Sequence, residues 1–282
     1  MDHEQLKSKA RHLLKLHQGP RILLLANAWD AASARIVEQL GFLAVATTSA
    51  GIANALGYAD GQHIPRQEML AAVRRIVEAV SVPVTADVEA GYGDAPEAAA
   101  QTATLVLESG AVGMNLEDSS HDGKEEVLVP LSRHVEKVRA VRAVADAAGI
   151  PLVINARTDV FLLAVGDPAE RLGLAISRAN AYREAGADCL FVPGVADRET
   201  ITALVRGING PINILAGPST LPTGELEKMG VRRVSLGSGP MRAAMGTFRR
   251  VAQELLEKGT YETIKQASIS YDEMNQMVAA KG

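Results

Sequence analysis

The chain has 282 residues, of which 47% are hydrophobic and 22% are charged, so a sizeable buried core is available. The formal net charge of -4 excludes the basic footprint of a nucleic-acid-binding protein and a polybasic arm for a membrane surface. The single cysteine, Cys189, excludes an intrachain disulfide framework and is typical of a reducing compartment. We therefore predict a cytoplasmic protein whose partners are small molecules or copies of itself.

The first predicted element is a charged amphipathic helix over about residues 2–18, which lacks the apolar centre of a signal peptide. Eight apolar runs of strand character follow, many of them β-branched: 21–29, 42–49, 82–89, 111–118, 151–158, 189–195, 211–217 and 232–238. Segments with apolar residues at helical spacing separate the runs, for example 31–41, 68–80 and 134–149. No apolar run is long enough to span a bilayer.

This alternation of strand and helix predicts an α/β protein with a parallel sheet, and eight units in roughly 250 residues match a closed (β/α)8 TIM barrel. An open, doubly wound sheet is the structural alternative. Because no linker-like segment interrupts the pattern, we predict one domain over residues 1–282.

A C-terminal helical extension is predicted over about residues 240–282, beyond the last strand run. Its final segment has no strand left to cover. A terminal helix of this kind often packs on a neighbouring subunit, which predicts a homo-oligomer, either a dimer or a tetramer. An unpaired surface helix is the alternative interpretation.

Charged side chains stand where three neighbouring runs end. Asp87 and Glu89 end one run, Glu117 and Asp118 end the next, and Arg157 ends the third. Residues two apart on a strand share a face, so Asp87 and Glu89 are expected to point the same way. Clustered carboxylates repel one another unless a cation lies among them, and an all-oxygen set suits Mg²⁺ or Mn²⁺. Arg157 supplies a fixed positive charge for an anionic substrate.

Further polar and small residues fall at the same predicted edge, where (β/α)8 barrels carry their active sites. The residues concerned, after the first, second and seventh runs or within them, are Asn27, Trp29, Asp30, Ser49, Gly51 and Asn213. A single residue of this type is often a helix cap, and capping is the favoured interpretation of Asp30. Ion pairs with Arg or Lys are the structural alternative for the carboxylates.

Five motifs carry a family resemblance: NAWDAASARIVEQLGF, TTSAGIANALGYADG, DVEAGYGD, NLEDSS and NARTD. In order and spacing they resemble the isocitrate lyase/phosphoenolpyruvate mutase superfamily, over roughly residues 20 to 245. The resemblance implies a (β/α)8 barrel, usually with the last helix exchanged between subunits. It also implies an Mg²⁺ or Mn²⁺ ion that holds a 2-oxo acid while an enolate forms.

The resemblance also implies roles for particular acidic residues. By position, Asp87 resembles the principal metal ligand, and Glu89 and Glu117 resemble groups that support the metal directly or through water. Asp60 resembles a second acidic position near the metal.

Substrate contacts are implied in the same way. Ser49, Ala50 and Gly51 resemble the turn that holds the substrate carboxylate. Arg157 resembles the arginine that pairs with the oxygens of the oxo acid.

The sequence departs from the family pattern in one loop, SSHDGKEEVLVP at residues 119–130. Lyases of the superfamily that release succinate carry a cysteine base there, and this loop has none. Cys189 begins the sixth run, at the opposite end of the predicted barrel. His121 is a candidate general acid or base, with a solvated surface residue as the alternative. Members of the superfamily that process phosphonates carry a lysine in this loop, which steers the phosphonyl group. Lys124 resembles that lysine.

These residues predict an Mg²⁺-dependent lyase or decarboxylase that cleaves a carbon-carbon bond in a small 2-oxo or 2-hydroxy carboxylic acid through a metal-stabilised enolate. The expected partner is this small carboxylate substrate. A phosphonomutase or phosphonopyruvate-type enzyme is one alternative, and a non-catalytic 2-oxo acid binding protein is another.

Overall fold

The computed structural model describes residues 2–120 and 127–279. Its sheet contains nine parallel strands: β1 (Leu23–Leu25), β2 (Asn27–Ala28), β3 (Val45–Thr47), β4 (Val84–Asp87), β5 (Gly113–Glu117), β6 (Val153–Arg157), β7 (Cys189–Phe191), β8 (Ile212–Leu215) and β9 (Arg233–Ser235). The strand order is β1-β9-β8-β7-β6-β5-β4-β3-β2. Only Ala26 separates β1 from β2, so the two ends of the sheet meet within one run of chain.

The sheet therefore closes into the predicted (β/α)8 barrel, and this prediction is confirmed. One detail differs, because the first predicted run, 21–29, forms two short strands. β1 pairs with β9 and β2 pairs with β3, so the run changes its partner at Ala26. Each of the other seven predicted runs contains one strand.

Twelve helices lie in the described part of the chain: α1 (His3–Gln18), α2 (Ala31–Gln39), α3 (Ser49–Ala55), α4 (Arg66–Ala79), α5 (Pro96–Glu108), α6 (Leu131–Ala148), α7 (Arg171–Glu184), α8 (Arg198–Gly207), α9 (Thr223–Met229), α10 (Gly239–Lys258), α11 (Glu262–Ala267) and α12 (Tyr271–Ala279). α1 occupies the predicted N-terminal segment. Asp30 caps α2 by accepting a hydrogen bond from the backbone N of Ser33 at 2.7 Å, as its favoured interpretation predicted. None of these helices combines the length and apolarity needed to cross a membrane.

The N-terminal end of the barrel is covered by α1. Leu13 of this helix is fully buried, and a Cβ added to Gly113 at the start of β5 would lie 2.9 Å from its Cδ2. A side chain at this position would therefore force Leu13 or Thr85 to shift. His17, at the end of α1, lies 3.4 Å from a guanidinium nitrogen of the buried Arg233 in β9. With this end covered, access to the barrel interior is left to the C-terminal ends of the strands.

Two buried histidines are expected to make stability depend on pH. Burial, with Arg233 nearby, lowers the pKa of His17 to about 4, and burial lowers the pKa of His134 to about 3. Both rings are neutral in the folded state, whereas an unfolded histidine titrates near pH 6.5. Between the folded and unfolded pKa values the unfolded chain binds more protons than the folded chain. The contribution of the two neutral histidines to the free energy of unfolding is therefore complete above about pH 6.5. Below that pH it falls by about 1.4 kcal/mol per pH unit for each histidine.

Urea denaturation at pH 7.5, 5.5 and 4.5 checks this expectation. The His134→Phe variant keeps a ring against Tyr182 and removes one titrating group, so its loss of stability on acidification should be smaller than that of the wild type. His12→Gln, on the exposed face of α1, is the matched control. Equal slopes for the wild type and His134→Phe would contradict the prediction.

Candidate active site

A cavity of about 370 Å³ opens at the C-terminal ends of β4, β5 and β6. Its lining combines acidic, hydroxyl and apolar groups with one arginine: Ser49, Asp60, Gly61, Glu89, Glu117, Ser119, Ser120, Val127, Arg157, Asp159, Leu162 and Leu163. Parallel pairing places Glu117 of β5 opposite Arg157 of β6. Glu89, Glu117 and Arg157, which follow or end three successive strands, therefore line one cavity.

Asp87 lies at the end of β4, just beneath this cavity. Its Oδ2 accepts hydrogen bonds from the backbone N and the hydroxyl of Ser49, at 3.0 and 2.9 Å. Its Oδ1 accepts one from Asn115 Nδ2 at 3.2 Å, and Asn115 Oδ1 in turn accepts from Asn155 Nδ2 at 2.7 Å. Because the Asn155 contact orients the Asn115 amide, donors fix both oxygens of Asp87.

Glu89 lies beyond the end of β4 and has φ 53°, in the left-handed region. The strand alternation that predicted a shared face for Asp87 and Glu89 therefore does not reach Glu89, and the turn directs its side chain instead. The backbone N of Gln62, also left-handed at φ 60°, donates to Glu89 Oε2. Gln62 Oε1 accepts from the backbone N of Tyr92 at 2.6 Å, which ties the two turns together. Left-handed backbone at non-glycine residues is costly, and such strain concentrates at functional sites.

Arg157 is held between two carboxylates. Its Nε and Nη2 donate to the two oxygens of Asp159 at 2.6 and 2.9 Å, and its Nη1 lies 2.7 Å from Glu117 Oε2. The hydroxyl of Ser119 donates to Glu117 Oε1 at 2.6 Å. Burial opposes the charge of Arg157, but Glu117 and Asp159 raise its pKa above the ordinary value. The guanidinium is thus a fixed positive charge at the cavity wall.

Three carboxyl groups that line the cavity, those of Asp60, Glu89 and Asp159, have raised pKa values. Burial, then Glu117, Asp87 and Asp60, raise the pKa of Glu89 to about 8. Burial, with Asp87 and Glu117 adding to it, also raises the pKa of Asp60. Burial raises the pKa of Asp159 against the opposing effect of Arg157. A cation bound among these buried carboxylates would relieve their mutual repulsion.

Asp118 does not belong to this cluster, although the sequence analysis grouped it there. Its Oδ2 accepts from Arg178 Nε at 2.7 Å and from the Tyr182 hydroxyl at 2.6 Å, both on α7. Its Oδ1 accepts from the backbone N of Asp159 at 2.9 Å. Consecutive strand residues face opposite ways, so Asp118 points to the helix layer when Glu117 points inward. Through Asp159, the Asp118 side chain supports the position of Arg157.

Breaking this support is expected to cost stability and weaken ligand binding together. Asp118→Asn leaves Arg178 buried without its carboxylate, a change that costs about 3 to 5 kcal/mol in comparable pairs. Denaturant unfolding and calorimetric oxalate binding check both effects. Asp188→Asn breaks the Arg142 pair at the other end of the barrel and should lower stability alone. Unchanged oxalate binding in Asp118→Asn would contradict the assigned support.

Four residues expected at the active-site edge of the barrel do not line the cavity: Trp29, Ala50, Gly51 and Asn213. Trp29 instead lines a larger, mostly apolar cavity of about 540 Å³ between α2, α3, α4 and α12. Gly51 lies in α3, where an added Cβ would come 2.6 Å from Thr48 Cγ2 and 3.1 Å from Trp29 Cβ, so packing requires its small size. Asn213 is fully buried inside the barrel, and its Nδ2 lies 3.2 Å from the Ser235 hydroxyl.

Three further residues singled out in the sequence are His121, Lys124 and Cys189. His121 and Lys124 lie outside the described residues. Cys189 is buried at the start of β7, and burial raises the pKa of its thiol to about 12, so it is a core residue as predicted. Because the chain has no second cysteine, the site has no thiol base.

The donor set suits a hard cation, but the side chains are not gathered around one point. Within residues 2–120 and 127–279, no group of three His, Cys, Asp or Glu residues is arranged to hold a metal ion. The oxygens of Asp87 face Ser49 and Asn115, and those of Glu117 face Ser119 and Arg157. Glu89 Oε1, however, is buried and has no hydrogen-bond partner. This orphan acceptor among crowded carboxylates is the feature that fits a cation.

The roles of Asp159 and Ser119 were not predicted from the sequence. Asp159 stands in the NARTD motif two residues after Arg157, and this spacing could have indicated the arginine clamp. Ser119 directly follows the Glu117-Asp118 pair, but no local pattern distinguishes a serine that supports a carboxylate from a loop serine.

A closed (β/α)8 barrel with an acidic cavity and a fixed arginine at the C-terminal ends of its strands is typical of a barrel enzyme. The phosphoenolpyruvate phosphomutase family matches residues 13–256. The chain therefore belongs to this family, and it is an enzyme of the isocitrate lyase/phosphoenolpyruvate mutase superfamily.

Its relatives include proteins of assigned and unassigned activity. An uncharacterized protein of Mycobacterium tuberculosis is 35% identical, over 81% of this chain and 82% of the relative. A 2-methylisocitrate lyase of Halalkalibacterium halodurans is 28% identical over 97% and 93%, and oxaloacetate decarboxylase 2 of Pseudomonas fluorescens is 28% identical over 90% and 82%. A Burkholderia cenocepacia structure described as a lyase/mutase superposes with a TM-score of 0.91, at 37% identity over 98% of both chains.

Proposed function

We propose that the enzyme cleaves a carbon-carbon bond in a small 2-oxo or 2-hydroxy carboxylic acid and that a divalent cation, Mg²⁺ or Mn²⁺, is required. The observation that carries this proposal is the buried, unpartnered Glu89 Oε1 in a cavity that also contains Asp60, Glu117 and Arg157. Crowded carboxylates attract the cation, and the arginine attracts an anionic ligand. The assigned activities of the relatives, a lyase and a decarboxylase, support the same class of reaction.

Asp87, Glu89 and Glu117 are the residues proposed to hold the cation, directly or through water, and Asp60 supports them. Their side chains would have to turn toward a common point, because they are not gathered around one here. A bound divalent cation supplies charge stabilisation for the oxygen on which negative charge develops.

Arg157 is proposed to orient the acid by donating hydrogen bonds to its oxygens. With oxaloacetate, the bond between C3 and C4 breaks and its electron pair forms the enolate of pyruvate. C4 leaves as CO₂, and one proton from water adds to C3. Because Asp159 holds one edge of the guanidinium through two parallel hydrogen bonds, Arg157 needs little reorganisation as charge moves toward the keto oxygen.

A carbon-phosphorus reaction has less support. In the part of the chain that the structure describes, Arg157 is the single cationic side chain that lines the cavity, and it already bonds two carboxylates. The described lining therefore offers a phosphonyl dianion no cationic side chain beyond Arg157.

A coupled assay of pyruvate release tests the proposal. Oxaloacetate and related 2-oxo and 2-hydroxy acids are supplied with and without Mg²⁺, and metal-only blanks correct for the spontaneous decarboxylation of oxaloacetate. Enzyme-dependent pyruvate that disappears with EDTA is the expected result. No pyruvate from any acid, together with a changed phosphorus NMR signal from phosphonopyruvate, would move the assignment to carbon-phosphorus cleavage.

We also propose a homo-oligomer that exchanges α10. Of the 20 residues in α10, Met241 alone is buried, while Phe248 and Leu256 are 67% and 87% exposed. The strand surface that an eighth barrel helix should cover is uncovered as well, since Leu24 of β1 points outward and is 38% exposed. An apolar helix and an apolar strand face, both without cover, suit each other in two copies of one chain.

The expected consequence is that Phe248→Glu with Leu256→Glu converts the oligomer to monomers. Light scattering after size-exclusion chromatography measures the mass. Leu174→Glu on α7, across the barrel from β1, is the matched control and should leave the mass unchanged. A wild-type chain that elutes as a monomer would contradict the exchange.

A further inference from the structure

Lys137 is a lysine on α6 that is buried against backbone carbonyls. Only 1% of the residue is exposed, and its Nζ donates hydrogen bonds to Ala90 O and, at 2.9 Å, to Gly93 O. Within the part of the chain that the structure describes, it forms no ion pair with a carboxylate. Burial of an ammonium without a carboxylate is costly, and a methionine of similar length would fill the same space without that cost. Packing alone therefore does not explain a lysine at this position.

Both carbonyls that Lys137 bonds belong to the turn after β4, which begins with Glu89. We call residues 89–93 the Glu89 turn. Four of its five residues have positive φ: Glu89 at 53°, Gly91 at 87°, Tyr92 at 60° and Gly93 at 152°. Such backbone stores strain at residues other than glycine, so the turn persists only where its surroundings hold it.

Groups from outside the Glu89 turn hold its carbonyls. Besides the two bonds from Lys137, Thr102 Oγ1 of α5 donates to Gly91 O at 2.8 Å. The backbone N of Glu117 in β5 donates to Glu89 O at 3.1 Å. Four of the five carbonyls of the turn thus have an outside donor, and Lys137 supplies two of these four bonds. Lys137 is therefore the side chain that contributes most to holding the turn.

A turn held in this way fixes the point from which the Glu89 side chain reaches toward a cation. Mg²⁺ requires nearly octahedral oxygens at about 2.0 to 2.1 Å, whereas Ca²⁺ accepts irregular geometry at about 2.3 to 2.6 Å. The Glu89 side chain can turn about its own bonds, but a fixed backbone limits how far its oxygens can retreat to admit the larger ion. Rigidity of the Glu89 turn therefore favours the smaller ion.

We infer that Lys137 is a positioning residue that fixes the Glu89 turn and thereby makes the proposed cation site prefer Mg²⁺ over Ca²⁺. The inference rests on the proposed function, in which Glu89 helps to hold the cation. Lys137 acts through the backbone of the turn, because an ammonium repels a cation and cannot be its ligand.

The charge of Lys137 and its positioning role have effects of opposite sign. Removal of a positive charge near carboxylates strengthens their attraction for any divalent cation, and it does so equally for Mg²⁺ and Ca²⁺. Release of the Glu89 turn weakens the binding of Mg²⁺ and weakens the binding of Ca²⁺ less. The ratio of the two affinities therefore reports the geometry of the turn.

Cation titrations of Lys137→Met test the inference without turnover. At pH 7 Lys137 keeps its charge, since burial lowers its pKa only to about 8. Mn²⁺ binding is followed by the loss of the electron paramagnetic resonance signal of the free ion, and Mg²⁺ and Ca²⁺ are measured by competition with Mn²⁺. The wild type should bind Mg²⁺ more tightly than Ca²⁺. The variant should bind Mg²⁺ about 10-fold to 100-fold more weakly, the usual effect of losing a residue that orients a metal ligand. Ca²⁺ affinity should fall less, so the preference for Mg²⁺ shrinks.

Arg142→Met is the matched control, because Arg142 is also a cation of α6 that bonds carbonyls, those of Leu152 and Gly186 outside the cavity. It should lose stability but keep the preference for Mg²⁺. Thr102→Val removes the donor to Gly91 O and leaves the charge of Lys137 in place. This second variant should shift the preference in the same direction, and it decides the question if Lys137→Met does not fold.

A wild type without a preference for Mg²⁺ would overturn the inference and leave the proposed function standing. Tighter binding of Mg²⁺ to Lys137→Met, or equal weakening of Mg²⁺ and Ca²⁺, would have the same consequence. An equal loss of preference in Arg142→Met would assign the effect to lower stability, which also contradicts the positioning role. Absence of saturable Mn²⁺ binding by the wild type would instead overturn the proposed function.

Discussion

Asp87→Asn is expected to lower kcat/KM by about 10³-fold, which corresponds to about 4 kcal/mol of transition-state stabilisation. The substitution keeps the size and shape of the side chain, and its carbonyl oxygen can still accept from Ser49. It removes the negative charge that the proposed cation requires. Steady-state assays of pyruvate release measure the loss. In parallel, thermal stabilisation by Mg²⁺ with oxalate should disappear in this variant, while the melting temperature without ligand falls because Asn115 Nδ2 loses its acceptor.

Glu97→Gln provides the matched control, because Glu97 is an exposed carboxylate in the first turn of α5, outside the cavity. It should retain both activity and stabilisation by Mg²⁺ with oxalate. Undiminished turnover in Asp87→Asn would exclude Asp87 from the proposed cation site. An unfolded variant would be recognised from its circular dichroism, and Asp87→Glu, which keeps the charge but moves it, would then provide the comparison.

Arg157→Lys is expected to lower kcat by about 10² to 10³-fold, the size of effect seen when one preorganised donor to a developing oxyanion is removed. Lysine keeps the charge but cannot donate two parallel hydrogen bonds to Asp159 while it also reaches Glu117. The positive charge is therefore no longer fixed in place. Separate values of kcat and KM distinguish loss of orientation, which lowers kcat, from loss of ground-state binding, which raises KM.

Arg133→Lys is the control for a change from arginine to lysine on an exposed surface, since Arg133 is half exposed on α6. Its kinetics should match those of the wild type. Wild-type kcat in Arg157→Lys would show that charge alone suffices and that the fixed guanidinium plane is unnecessary.

The described site contains no thiol, and in this it differs from lyases that rely on a cysteine base. Cys189 is the one cysteine in the chain, and it is buried in β7 with a raised pKa. Decarboxylation requires no group to deprotonate a substrate hydroxyl, because loss of CO₂ itself forms the enolate. The chemistry of the described site is therefore compatible with a decarboxylase without further residues.

The barrel itself was predictable because its signal is local and repeated. Each strand run is a short apolar segment bounded by turn residues, and eight of them alternate with helical patterns. The split of the first run into β1 and β2 was not predictable, because it depends on which strands close the barrel from either side. α3 was missed since its seven residues, Ser49–Ala55, are too few to show a helical period.

The candidate site was predictable to the extent that strand ends converge in a parallel barrel. Glu117 and Arg157 are direct neighbours in the sheet register, so their pairing follows from adjacent strands alone. The direction of Glu89 did not follow, because its left-handed backbone breaks the alternation of the strand. The pairing of Asp118 was not predictable either, because its partner Arg178 lies 60 residues away in sequence on α7.

The sequence by itself determined the class of fold and the types of charged side chain at the C-terminal ends of the strands. Apolar periodicity and the position of charges after strands are local properties. Only the tertiary structure decided which carboxylates face the cavity, which arginine each one meets, and where exposed leucines line the same space. Those outcomes depend on contacts between residues far apart in the chain, and the energies of such contacts are set by burial and distance, which no local pattern encodes.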